Sequence, residues 1–249
     1  MILSLQNIHK SFMTWFAQNI PRKILNGVSI KILTGEIYGF LGLNGAGKTT
    51  TLETIMGFHQ PDNGQIRFFG NNILDNNTRT KIWYAPDKTA YFEYLTWREN
   101  VMKIAKYTGI KRTQRESFWH YLFEELELTY AKNDYVQNYS QWMKQRLWLI
   151  LSLINNPDLL LRDEPMNWLD PLGRIVVKNL MKKLQSEWKT IIFSTHILSD
   201  VQEISDRFGI LSQGKMVYES ETNKITENLE EFFCKIVTEN KQTKEINIK

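Results

Sequence analysis

The run Gly42-Leu43-Asn44-Gly45-Ala46-Gly47-Lys48-Thr49 decides how the rest of this chain is read. Its spacing is G-x-x-x-x-G-K-[ST], and its neighbours are the ones that pattern needs. Before it stands the apolar, β-rich stretch Ile37-Tyr38-Gly39-Phe40-Leu41, which reads as a buried strand. After it, Thr50 to Phe58 reads as a helix. Glycines let the backbone curl until successive N–H groups face inward, and together with the helix N-terminus those groups hold phosphate oxygens. Asn44, Gly45, Ala46, Gly47, Lys48, Thr49 and Thr50 are therefore the candidate phosphate-binding residues. Lys48 is expected to reach the outer phosphates and Thr49 to ligate Mg²⁺.

A second signal lies more than a hundred residues on, at Leu159-Leu160-Leu161-Arg162-Asp163-Glu164. An apolar strand ending in acids, in a chain with a phosphate loop, places Asp163 at the metal. It places Glu164 where a general base polarises the attacking water. Further buried strands are expected at Ile82-Trp83-Tyr84-Ala85, Ile191-Ile192-Phe193 and Phe208-Gly209-Ile210-Leu211. Strands alternating with helical patterns predict a parallel α/β sheet. Gln213-Gly214, between Ile210-Leu211 and Met216-Val217-Tyr218, predicts a hairpin. Alternating apolar positions in the first 35 residues (Leu3, Leu5, Val28, Ile30, Ile32) predict an antiparallel layer ahead of the sheet.

From Thr96 to Asn156 the pattern is nearly all helix. Thr96 with Glu99, and Thr113 with Glu116, have capping-box spacing. Met143, Leu147, Ile150, Leu151 and Ile154 share one helical face, with Ser140 as its N-cap and Pro157 just past its end. Leu229, Phe232, Phe233, Ile236 and Val237 form a last amphipathic helix, and Lys241 to Lys249 is a polar, fraying tail.

Composition narrows the function classes. Of 249 residues, 42% are hydrophobic and 23% charged, which fits a globular chain and excludes wholesale disorder. The single cysteine, Cys234, excludes a disulfide framework and a Cys-based zinc site. The net charge of +4 is spread without a basic block, so no nucleic acid partner is expected. The most apolar run, Leu147 to Ile154, is far short of the roughly 20 residues of a spanning helix. No secretory signal is visible, so a cytoplasmic protein is expected.

With these motifs in this order, the chain resembles the ATP-binding subunit of an ABC transporter over essentially its whole length. The resemblance implies a P-loop NTPase (RecA-like) core with an N-terminal antiparallel β layer and a helical insertion. Residues 1–86 and 157–219 would form the core, 87–156 the helical subdomain and 220–249 the C-terminal helix and tail, within a single ATPase domain, 1–249. Ser140-Gln141-Trp142-Met143-Lys144-Gln145-Arg146 falls at the family's signature, where Ser140 would face nucleotide across a head-to-tail dimer. Asn167-Trp168-Leu169-Asp170 resembles the D-loop, although Asp170-Pro171 is also a plain helix start. His196, ending Ser194-Thr195-His196, resembles the switch histidine that contacts the γ-phosphate. Tyr84-Ala85-Pro86-Asp87 falls at the Q-loop, which makes Asp87 a candidate catalytic and metal residue. Phe12 lies near the adenine-stacking aromatic, with Trp15 or Phe16 as alternatives. ATP and Mg²⁺ are the implied cofactors. The implied partners are a second ATPase subunit, identical or different, and a transmembrane permease that holds the chain at the inner face of the membrane.

The stretch Thr96-Trp97-Arg98-Glu99-Asn100 and the run Met143 to Arg146 look most like the drug, lantibiotic and sodium exporter subgroup, which implies export. Two departures matter. Gln141 and Trp142 occupy the places of the signature glycines, where glycine allows close backbone approach to a ligand. An indole there would obstruct the dimer site, unless it swings aside and packs on the helical insertion. Asp87 replaces the usual glutamine; an ionised carboxylate is a good Mg²⁺ ligand but cannot donate a hydrogen bond. The alternative to a transport ATPase is accordingly a hydrolysis-impaired, nucleotide-binding regulatory subunit.

Overall fold

Every residue of β3 (Ile37–Leu41) is buried, because the strand lies in the middle of a six-stranded sheet covered on both faces. That is why it reads as an unbroken apolar run. In the computed structural model, which describes residues 1–13, 21–71, 74–87, 91–107, 112–167, 169–225 and 228–246, β3 pairs in parallel with β7 (Thr190–Thr195) and β8 (Arg207–Ser212). Outward from β7 lie β6 (Leu159–Arg162) and β5 (Ile82–Ala85), also parallel. The far edge is β9 (Lys215–Glu221), antiparallel to β8. Gln213 and Gly214, at φ 49° and 76°, turn that hairpin. Both central residues need positive φ for the turn to match the strands' twist. The sheet order is β5-β6-β7-β3-β8-β9.

The antiparallel layer also forms as predicted, with one addition. β1 (Leu3–Met13) pairs with β2 (Pro21–Ile32) in the register Leu5↔Ile30. Its other edge carries β4 (Asn63–Phe68), which the sequence reading did not anticipate. That strand shows water one face and buries only Phe68 fully, so its apolar signal is thin. Leu3, Leu5, Val28, Ile30 and Ile32 face Tyr38, Phe40, Leu159, Leu161 and Ile192 to make one core between the layers. Trp15 and Phe16 lie outside the described residues, as does Trp168.

The insertion helices and the later helices pack on the sheet's other face, whereas the helix after β3 buries Leu52 and Ile55 in the core between the layers. α1 (Lys48–Ile55) follows β3, so the loop lysine is already the first helical residue. A short helix, α2 (Asn76–Thr80), precedes β5. The expected helical insertion consists of α3 (Trp97–Tyr107), α4 (Arg112–Glu125) and α5 (Gln141–Leu153), with two 3₁₀ turns between α4 and α5. At α3 the capping box closes reciprocally: Glu99 Oε2 accepts from Thr96 N at 2.8 Å and Thr96 Oγ1 accepts from Glu99 N at 3.3 Å. The Thr113 side chain lies outside the described residues. On α5, Leu147, Ile150, Leu151 and Ile154 are fully buried, as their spacing requires. α6 (Pro171–Ser186) starts on its Asp170 cap, and α7 (Leu198–Ile204) links β7 to β8. The closing helix α8 (Leu229–Ile246) buries Leu229, Phe233 and Val237. Its backbone stays helical to Ile246, past the expected fraying point, because Lys, Glu and Gln are good helix formers. No helix among the described residues is long and apolar enough to cross a membrane.

Asn100 ties the segment after β5 to the helical subdomain. Fully buried on α3, it accepts from Phe92 N at 2.8 Å and donates to the carbonyls of Phe92 and Thr96, each at 3.0 Å. Asn100→Ala strands both Phe92 backbone groups. It should cost about 2–3 kcal/mol in urea unfolding; a loss below about 0.5 kcal/mol would show that these bonds add nothing.

Candidate functional site

The glycine loop leaves β3 and enters α1 with Gly45 at φ 78° and Gly47 at φ 107°. At Gly47 a Cβ would also meet Leu25 Cδ2 at 3.0 Å and the Ile24 carbonyl at 3.2 Å, so both conformation and space exclude a side chain. The loop is braced from behind. Ala46 N donates to Leu43 O at 3.1 Å, and the Ala46 carbonyl accepts from Gly214 N at 2.9 Å. The β8–β9 turn thus holds the loop's shape.

Around the loop is a cavity of about 430 Å³, lined by Arg22, Ile24, Leu43, Asn44, Gly45, Gly47, Lys48, Thr49, Thr50, Asp87, Asp163, Glu164, Asn167 and His196. Five parts of the fold converge on it: β2, the loop into α1, the segment after β5, the end of β6 and the end of β7. Thr49 Oγ1 donates to Asp163 Oδ2 at 2.6 Å. Ser194 Oγ donates to the other oxygen of Asp163 and accepts from Glu164 N at 3.0 Å. Ser194 is fully buried and Asp163 only 5% exposed. Glu164 sits at φ 47°, an uncommon conformation for a residue with a side chain. That turn at the strand end aims its carboxylate across the cavity, where Oε1 meets Lys48 Nζ at 3.2 Å and Oε2 meets His196 Nδ1 at 3.0 Å. Lys48 Nζ also donates to Gly42 O at 2.7 Å. Tyr84, beside these acids, has its phenol pushed up by burial and then by the charges of Asp163, Glu53 and Asp87.

The donors fit a magnesium nucleotide. Thr49 and Asp163 offer hard oxygens 2.6 Å apart, and Asp87 lies on the same cavity. Among the described residues no three or more His, Cys, Asp or Glu side chains are placed to hold a metal ion by themselves. Mg²⁺ suits such a sparse set, since it takes one or two protein oxygens and completes its shell with phosphates and water. Lys48 and the α1 N-terminus supply the positive end for phosphate.

Ten of the thirteen residues singled out from the sequence line this cavity: Asn44, Gly45, Gly47, Lys48, Thr49, Thr50, Asp87, Asp163, Glu164 and His196. Ala46 turns inward and packs in the interlayer core. Phe12 is not among the lining residues; its ring meets His59 edge-on at 4.9 Å. Its cross-strand partner Arg22 reaches the cavity instead. Ser140 lies outside too. Its Oγ caps α5 by accepting from Met143 N at 3.1 Å. The sequence reading missed the tie made by Ser194, whose signal was a small hydroxyl at the end of the strand beside the acids.

The Trp142 indole lies against the first turn of α6, beside Gly173, with the Arg146 guanidinium over its ring. It rests on the α/β core as well as on its own helix, not on the helical insertion alone.

Comparison with known proteins agrees with this architecture. A family model described as ABC transporter matches residues 25–167. A bacitracin transport ATP-binding protein of Bacillus licheniformis is 36% identical over 201 residues, 80% of this chain and 65% of that protein. A lantibiotic transport ATP-binding protein of Streptococcus pyogenes is 34% identical over 232 residues, 93% of this chain and 96% of that one. An uncharacterized ABC transporter ATP-binding protein of Synechocystis, 35% identical, is matched over 84% of this chain and 60% of its own length. The chain thus spans less than two thirds of some relatives and nearly all of others. A solved structure of an ABC transporter's ATP-binding subunit superposes with a TM-score of 0.83 at 26% identity, covering 95% of this chain and 99% of that one. A dimeric ATP-binding cassette bound to ADP and Pi shares the fold, with a TM-score of 0.79 at 24% identity over 90% of this chain and all of the other. The family match and the phosphate loop facing Asp163 and Glu164 agree: this chain belongs to the ABC transporter family, as an ATP-binding cassette.

Proposed function

We propose that the chain hydrolyses MgATP in a head-to-tail pair of cassettes and so drives export through separate membrane subunits. The observation that carries this reading is the Glu164 carboxylate, held between Lys48 and His196 at the mouth of the phosphate loop. The loop N–H groups and Lys48 bind the phosphate chain. Thr49, Asp163 and Asp87 would hold Mg²⁺, which would supply positive charge against the phosphates. Glu164 takes the proton of the attacking water, and His196 orients that carboxylate and reaches the terminal phosphate. Ser194 keeps both acids in register. Ser140, outside this cavity, serves the nucleotide bound by the opposite cassette. Residues 87–156 act as a helical subdomain that moves against the core, with the membrane subunit docking near Asp87 and Tyr91 to Tyr94. The relatives named for bacitracin and lantibiotic transport support export and a place on the inner face of the membrane.

The second reading, a regulatory subunit with impaired hydrolysis, is motivated by Gln141 and Trp142. Concentration dependence separates the two. If two cassettes share each site, Mg²⁺-dependent phosphate release per protein should rise roughly in proportion to protein concentration until dimers saturate. No hydrolysis at any concentration would favour the regulator, and a constant specific activity would mean that one chain works alone.

A further inference from the structure

Gly173 occupies the first turn of α6, three residues after the Asp170 cap, whose Oδ1 accepts from its N–H at 2.6 Å. Its φ is not in the left-handed region, so nothing in the backbone calls for glycine. Within a helix glycine is a poorer former than alanine. A side chain here would meet the Trp142 indole first, and the Asp170 cap oxygen at 3.0 Å after it. A Cβ at Gly173 would lie 2.7 Å from Nε1 and 2.8 Å from Cδ1 of that ring.

The Arg146 guanidinium lies over the same ring, so the indole is held on a second side-chain contact. Arg146 is 3% exposed and fixed in place, donating to the Leu126 carbonyl at 2.7 Å and to Glu127 Oε2 at 2.9 Å. Interiors packed this closely do not absorb an added methyl without moving a side chain. A methyl at Gly173 therefore forces the indole or the start of α6 to move.

We propose that Gly173 is a positioning residue for the dimer's nucleotide site: by lacking a side chain it seats the Trp142 indole against α6 and keeps it off the surface that Ser140 presents. The bulky replacement at a signature glycine is thus accommodated by a second glycine, thirty-one residues on in sequence, rather than by a loss of the site. This rests on the two-cassette reading above, because only there does the Ser140 surface face nucleotide.

Two measurements test it separately. The first reads the seat alone, on the full chain labelled with 5-fluorotryptophan, with the Trp142 fluorine signal assigned by its loss in Trp142→Phe. In Gly173→Ala that signal should move and gain a solvent isotope shift; an unchanged signal overturns the proposal. The second uses the hydrolysis-trapped Glu164→Gln background and light scattering with MgATP. Gly173→Ala should weaken dimerisation at least tenfold when Trp142 is present and less than twofold when it is replaced, as Trp142→Gly. Equal weakening in both backgrounds overturns the proposal, since the fault would then lie in α6 itself. If Glu164→Gln fails to dimerise with either residue at 142, the two-cassette reading falls, and with it the proposed purpose of the seat. The fluorine shift would then show the indole's seat as packing only.

Discussion

Glu164→Gln should bind MgATP and hydrolyse it at least 10²-fold more slowly than the parent chain, with the deficit reaching about 10⁴-fold if Glu164 is the sole base. The amide keeps the shape of the side chain, so the positive-φ turn at the end of β6 and the Ser194 hydrogen bond to the Glu164 amide should survive. What disappears is the ability to take a proton. The ion pair with Lys48 disappears too, and that pair, at 3.2 Å, competes with phosphate for the same ammonium group. Affinity for MgATP should therefore stay level or tighten by a few fold. Single-turnover phosphate release beside calorimetric binding separates the two effects. A variant that keeps more than a tenth of parent activity would remove Glu164 from the base role and leave it as a charge partner of Lys48 and His196.

Lys48→Ala should do the reverse and remove binding. The ammonium is 6% exposed and is the positive side chain at the centre of the phosphate loop, held by Gly42 O and Glu164. Removing one member of such a buried, hydrogen-bonded charge pair costs about 2–5 kcal/mol. At 1.4 kcal/mol per decade this is a loss of about 30-fold to several thousand-fold in affinity for MgATP. The fold should tolerate the change, because Glu164 keeps His196 at 3.0 Å. A dissociation constant within threefold of the parent would mean that the loop N–H groups alone hold the phosphates. The two variants bracket the site from opposite sides: one binds without turnover, and the other fails before turnover begins.

Their contrast also separates charge from geometry. Lys48 acts through a formal charge that any phosphate would meet. Glu164 acts through position, set by a strand end and a serine on the neighbouring strand. Both residues were legible as types. The distance that makes them partners was not, since 116 positions separate them in the chain.

Local signals in the sequence were enough for the parts whose physics is local. The glycine spacing, the buried strand before it and the helix after it specify a phosphate loop, because backbone curvature and an exposed helix N-terminus follow from the residues themselves. Strands buried on both faces declare themselves as unbroken apolar runs, which is why β3, β6 and β7 were readable. The exposed edge strand β4 was not, having one wet face and few apolar residues. The Thr96 capping box and the apolar face of α5 are three- and four-residue relations, and both form.

The tertiary structure decided what depends on chain segments far apart. Phe12 and Arg22 face each other across β1 and β2, yet Arg22 lines the cavity while the Phe12 ring packs on His59. Strand twist and register choose between them, and neither is written in a single segment. Ser194 became an anchor for Asp163 and Glu164 only because β7 lies beside β6. The same holds for Trp142. In sequence it stands where a glycine is wanted; in the fold, its place is decided by the space left at Gly173 and by an arginine held from the end of another helix. Close packing is a property of surfaces brought together, so the residue that makes room can lie anywhere along the chain.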